Sequence, residues 1–190
     1  MERARATDTS SIDVSEDLLG TVLRPYKPHC RYLKRASVSA ERAESVSASG
    51  QFSIPESCYI ASTGHFNAVE FNICYNQLAY TLLAACIEHK LVQALSHWTM
   101  AEYRQRQLPD FLIVNFSSEF RSSMRSDRFF GVVQIERVSI RRGSIFMKTS
   151  VRFDDDRGGR SQGEVMLAIL NGAAAGLRGE RDDPCAAATA

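Results

Sequence analysis

Gly64, His65, Asn67 and Glu70 stand close together, just before and inside an apolar stretch that runs on through Asn76 and Tyr80. Polar groups in an apolar helix are costly unless partnered, so several together mark a candidate site. Gly64 allows a tight turn and the close approach of a ligand to the backbone. The first amides of the following helix lack intrahelical partners and carry the positive end of its dipole. Aimed at a thioester carbonyl, such an amide stabilises the oxyanion or enolate that develops there. His65 and Asn67 add donors, or position a water or amine nucleophile.

Individual side chains also have plainer readings. Asn67 alone is a residue type that caps helices, whereas the cluster reads as a site. Glu70 is either a general base or a favourable charge in the first helical turn. Asn76 and Tyr80 share a face, as part of the site or as a hydrogen-bonded pair inside the core. Tyr26 and Tyr59 have the apolar body and polar tip of an acyl-pocket lining, and equally of packing residues. Arg121, closing the strand from Asn115, offers a cation for a carboxylate or phosphate.

Other chemistries find no pattern. His29, His65, His89 and His97 lack metal-ligand spacing and cysteine partners, and His29 and His97 read as surface or loop residues. There is no GxSxG elbow, GxGxxG or P-loop. Neither a metal nor a cofactor is expected. The net charge of +1, with arginines scattered and no long basic run, argues against a nucleic-acid partner. The most apolar run, Leu78 to Ile87, is too short for a membrane span, and Met1 to Ser15 has no signal-peptide core. The odd count of five cysteines without a CxxC pair suits free thiols and a cytoplasmic location.

The elements that must position these residues follow from periodicity. Residues 1–14 are expected as a flexible leader, 15–171 as one domain and 172–190 as a disordered tail. Ser15 caps a short amphipathic helix that ends at Pro25 and Pro28. Arg31 to Val38 and Ser45 to Ile54 read as strands joined through Ala40 to Glu44, the second with Val46, Ala48, Gly50, Phe52 and Ile54 alternating. A helix from about Phe66 to His89 carries a central stripe of Val69, Ile73, Asn76, Tyr80, Leu83 and Ile87. It is apolar nearly all round, as a helix wrapped by a sheet would be. His97 to Gln107 reads as a second helix with a Thr99 and Glu102 capping box. Four strands follow: Phe111 to Arg121, Phe129 to Ile140, Ser144 to Phe153 and Gln162 to Asn171. The order predicts an α+β fold, a mainly antiparallel sheet curling over one helix.

The run from Tyr59 through Ser62-Thr63-Gly64-His65-Phe66-Asn67-Ala68-Val69-Glu70 to Asn76-Gln77-Leu78-Ala79-Tyr80 resembles the FcoT-type (type III) fatty-acyl thioesterases of actinobacteria. Arg24-Pro25-Tyr26, Cys30-Arg31-Tyr32-Leu33, Ser117-Ser118-x-Phe120-Arg121 and Gly163-Glu164-x-x-Leu167-Ala168-x-Leu170-Asn171 extend the similarity from about Leu18 to Asn171. The resemblance implies a hot-dog fold, a fatty-acyl thioester held through phosphopantetheine, and homodimers that can assemble further as trimers of dimers. It places Tyr26, Tyr59, Asn67, Asn76 and Tyr80 at the active site, with His65 adjacent. Gly64, Glu70, Ser118 and Arg121 are the accompanying substrate-binding candidates. Members also resemble (2E)-enoyl-[acyl-carrier-protein] glycyltransferases of isonitrile lipopeptide biosynthesis. The expected activity is glycine addition to an enoyl thioester on an acyl carrier protein. Hydrolysis of an acyl-carrier or CoA thioester is the alternative, and a non-catalytic acyl-binding module the second.

Overall fold

The computed structural model describes residues 10–42, 45–61 and 64–171. β1 (Ser10–Asp13) leads into α1 (Glu16–Leu23), whose Ser15 cap accepts from the Leu18 amide at 3.2 Å. After a 3-10 turn at Pro28–Cys30 come β2 (Leu33–Arg42) and β3 (Ser45–Phe52). The central helix α2 spans Ala68–Glu88, and α3 spans Met100–Arg106. Then follow β4 (Phe111–Phe120), β5 (Phe129–Arg141), β6 (Ser144–Asp154) and β7 (Arg160–Ile169). The strands form one antiparallel sheet in the order β1-β2-β3-β5-β6-β7-β4.

The sheet wraps α2, which is the hot-dog arrangement. Phe71 packs against the rings of Phe116, Phe120 and Phe153, and the Tyr75 hydroxyl meets Thr149 Oγ1 at 2.8 Å. The inward positions of β3 alternate as the sequence predicts, with Val46, Ala48 and Phe52 fully buried. The capping box of Thr99 and Glu102 is present on α3. Arg142 and Gly143, at φ 49° and 77°, turn β5 into β6. Positive φ at both central residues matches the right-handed twist of a two-residue hairpin.

Some expectations need correction. The leader does not extend to residue 14, because Ser10–Asp13 pairs with β2 as an edge strand, Asp13 opposite Ser37. Residues 1–9 and the expected tail lie outside the described residues. β2 starts at Leu33 rather than Arg31, because the Arg31 amide closes the 3-10 turn on the Pro28 carbonyl. Of the expected stripe, Leu83 and Ile87 are buried, but Val69, Ile73, Asn76 and Tyr80 are not on the core face of α2. These residues are exposed or half-buried, with Val69 at 43%. The sheet instead covers the side carrying Phe71, Cys74, Tyr75, Leu78 and Leu82.

Candidate active site

The entry to α2 is anchored by an apolar clamp and capped by Asn67. Gly64 turns the chain at φ 73°, a conformation L side chains rarely adopt. Phe66 is buried, hydrogen-bonds through its amide to the Met124 carbonyl, and packs on Phe129 and Phe153. It also reaches Phe71 across the first turn, the hydrophobic staple that fixes a helix entry. Asn67 Oδ1 accepts from the amides of Val69 at 2.9 Å and Glu70 at 3.2 Å. The capping role is thus real, but it uses only half of the amide. Asn67 Nδ2 is buried without a hydrogen-bond partner among the described residues.

Glu70 presents the complementary orphan. It is 2% exposed, and its Oε2 finds no partner in good geometry among the described residues. The Ser57 hydroxyl beside it is likewise buried, close enough to act on the Glu70 carboxyl but without a partner in good geometry among the described residues. Burial raises the Glu70 pKa, while Ser57, the Asn67 backbone and the nearby His65 pull it partly back. Native proteins rarely leave buried donors and acceptors unpaired, because each costs desolvation without return. Three such atoms at one helix entry make it the candidate site.

An open cavity of about 600 Å³ lies against this entry. His65, Phe66, Asn67 and Ala68 line it, together with Phe120 at the end of β4 and Ser122 and Ser123 beyond it. The cap takes the Val69 and Glu70 amides, so Ala68 is the first-turn residue that meets the cavity directly. A carbonyl oxygen here would face the positive end of α2.

Tyr26 and Tyr80 form a second group further along α2. Burial, and then the proximity of Tyr80 and Cys74, pushes the Tyr26 pKa up. Burial does the same for Tyr80. Asn76 Nδ2 donates to Asn72 Oδ1 at 3.1 Å, so its partner is Asn72 rather than Tyr80. The helical rise of about 1.5 Å per residue sets Tyr80 about 20 Å along the axis from Asn67. Within one chain, Tyr80 therefore stands well away from the helix entry.

The remaining candidates spread out. Tyr59 is 52% exposed on the 55–61 loop. Ser118 is half-buried on β4 opposite Gly163. Arg121 is not brought to the helix entry: it pairs with Glu119 at 2.9 Å and lines a separate cavity with Asp154, Asp155 and Arg160. The outward alternation of Glu119 and Arg121 explains this, since inward Phe120 packs on Phe66 and Phe71. Among the described residues, no cluster of His, Cys, Asp and Glu could hold a metal. Cys30, Cys58, Cys74 and Cys86 are free thiols, and Cys185 lies outside the described residues. No helix among the described residues is long and apolar enough to cross a membrane.

Sequence reasoning missed two features. Ser57, Ser122 and Ser123 reach the site from loops whose spacing carries no signal. Gln77 belongs to the polar set of the helix, yet its task is structural. It is fully buried, accepts from the Tyr32 and Leu33 amides at 2.9 Å each, and donates to the Cys30 carbonyl at 2.6 Å. It straps the α1–β2 connection to α2.

The chain matches the FcoT-like thioesterase domain over residues 21–169. It is 44% identical over 161 residues to a protein of Streptomyces coeruleorubidus named (2E)-enoyl-[ACP] glycyltransferase, covering 82% of this chain and 97% of that one. A Mycobacterium marinum protein of the same name is 40% identical over 162 residues, covering 83% and 88%. One from Mycobacterium bovis is 40% identical over 167 residues, covering 86% and 91%. Among solved structures, a thioesterase candidate from Syntrophus aciditrophicus shares the fold, with TM-score 0.50 at 12% identity, covering 81% and 95%. Matched across nearly its whole described length, the chain is an enzyme of the FcoT-like thioesterase family.

Proposed function

We propose that the protein adds glycine to the β-carbon of a (2E)-enoyl thioester on an acyl carrier protein, giving a 3-(carboxymethylamino)acyl thioester. The observation that carries this reading is the buried pair of Asn67 Nδ2 and Glu70 Oε2, a donor and an acceptor without partners among the described residues. Conjugate addition needs both. Glu70 takes a proton from the glycine ammonium, and burial strengthens it as a base. The amine then forms the new C–N bond as the alkene electrons move toward the carbonyl. Negative charge collects on the thioester oxygen, which Asn67 Nδ2 and the helix entry stabilise. The proton held by Glu70 returns to the α-carbon, so atoms balance without a cofactor. His65 orients Glu70 and the incoming amine. Gly64 gives the chain its turn beside them.

Tyr26, Asn76 and Tyr80 line the path of the acyl chain, and Tyr59 and Ser118 border it. With Arg121 engaged by Glu119, holding the glycine carboxylate would require that ion pair to open. The names of the relatives support the carrier protein, and the free thiols suit a cytoplasmic enzyme. β4, which ends the sheet and exposes Leu112, Ile113 and Val114, supports a homodimer. Such an apolar edge is a template for a second strand. Further assembly would be a trimer of dimers.

Incubation with (2E)-butenoyl-carrier protein and glycine tests the activity. Accumulation of an acyl arm heavier by one glycine is expected. Release of free acid without adduct would assign hydrolysis, and no turnover at all would leave only a binding module.

A further inference from the structure

Arg24, Lys27, Arg31 and Lys34 lie on and beside the connection between α1 and β2, and no Asp or Glu occurs between Asp17 and Glu41. Overall the charges scatter as the sequence suggests, but here they gather with one sign. The ion pairs among the described residues engage His89, Arg106, Arg121, Arg125, Lys148 and Arg152, and none of these four. Arg31 donates instead to the carbonyls of Tyr26 at 3.1 Å and Arg24 at 3.4 Å. Lys34 Nζ donates to the Arg31 carbonyl at 2.7 Å. Arg24 and Lys27 are exposed.

The connection is also fixed in place. Gln77 binds the backbone of Cys30, Tyr32 and Leu33 to α2. The Tyr32 hydroxyl donates to the Glu56 carbonyl, tying the connection to the loop that carries Ser57 and Tyr59. Tyr26 sits between Arg24 and Lys27, with Tyr80 and Cys74 close by. Lys34 lies near enough to Cys74 to influence its thiol. Glu56 is the acidic residue that adjoins the group. A rigid cationic strip therefore borders the acyl path. Such a strip steers an anionic partner and sets its orientation. Arg31 already spends Nε and Nη2 on carbonyls, so it lacks the open fork that grips a single phosphate bidentately. The arrangement suits a broad acidic surface better than the phosphates of CoA.

We infer that Arg24, Lys27, Arg31 and Lys34 form the docking surface for the acidic face of the acyl carrier protein. The inference rests on the carrier-borne thioester proposed above. The test compares wild type with Arg24→Glu/Lys27→Glu and with the neutral Arg24→Gln/Lys27→Gln. Anisotropy of a labelled holo-carrier protein reads binding without any turnover, so failure of glycine addition leaves the comparison intact. Turnover is read with (2E)-butenoyl-carrier protein, (2E)-butenoyl-CoA and (2E)-butenoyl-pantetheine. The Glu variant is expected to weaken carrier binding by about tenfold or more, as charge reversal across a steering surface does. The Gln variant falls between it and wild type. Pantetheine kinetics stay unchanged and report an intact fold. Unchanged carrier binding overturns the inference. So does an equal loss with CoA, which would assign the strip to phosphate, or an equal loss with pantetheine, which would assign it to folding.

Discussion

Asn67 and Glu70 are joined by a 3.2 Å hydrogen bond from the Glu70 amide to Asn67 Oδ1, and each keeps one buried polar atom unpaired among the described residues. The same contact that starts the helix thus leaves a spare donor and a spare carboxyl oxygen on one turn. Capping and chemistry can be separated, because they use different atoms of Asn67.

Asn67→Ser keeps an oxygen that caps the helix but removes the amide donor. Thermal stability should stay close to wild type, while glycine addition falls by about 10²-fold or more. Asn67→Ala should lose the donor and also about 1 kcal/mol of stability. Steady-state kinetics and thermal melts of both variants distinguish the roles. Equal activity in Asn67→Ser and wild type would reduce Asn67 to a cap.

Glu70→Gln removes the base, with an expected loss of about 10²- to 10⁴-fold in turnover. Burial raises the Glu70 pKa, so wild-type activity should fall on acidification at a higher pH than for an ordinary glutamate. The stability effect runs the other way. A raised folded pKa stabilises the protein fully below the unfolded pKa, and that contribution is lost as pH rises through the folded value. At neutral pH the buried carboxylate is destabilising, so Glu70→Gln should melt higher than wild type there and lose that advantage in acid. A variant melting lower at neutral pH would contradict the unpaired carboxyl.

Gln77→Leu should destabilise the fold by about 3 kcal/mol, since it orphans buried backbone groups of Cys30, Tyr32 and Leu33. Urea denaturation measures this. A change below about 1 kcal/mol would mean that the strap contributes little.

Tyr80→Phe should alter selectivity rather than the reacting step, because Tyr80 lies far along α2 from Asn67. The expected result is a nearly unchanged kcat with (2E)-butenoyl substrates and a shifted KM with longer chains. A large kcat loss on the short substrate would bring Tyr80 to the reacting atoms.

The fold was largely legible in the sequence because its signals are local. The alternation of Val46, Ala48 and Phe52, the Ser15 and Thr99 caps, and the long apolar stretch each follow from nearest-neighbour physics. The site was legible only in part. Gly64, His65, Asn67 and Glu70 are contiguous, and the structure keeps them together. The covered side of the first half of α2 was misjudged, because a helix apolar nearly all round has no distinctive stripe; Leu83 and Ile87 are buried as expected. Its covered side is chosen by partners such as Thr149 and Phe153, which lie distant in sequence. The same blindness hid the task of Gln77, whose partners are backbone groups on another element. It also hid the turning of Arg121 away from the helix entry by the alternation of β4.

The central claim is that the Asn67–Glu70 entry delivers glycine, not water, to the thioester. Mass spectrometry of (2E)-butenoyl-carrier protein after incubation with enzyme and isotope-labelled glycine tests it most directly. The predicted result is label retained on the carrier's acyl arm as a secondary amine, lost in Asn67→Ser and Glu70→Gln. A carrier stripped to its free thiol, with unlabelled butenoic acid released, would contradict it.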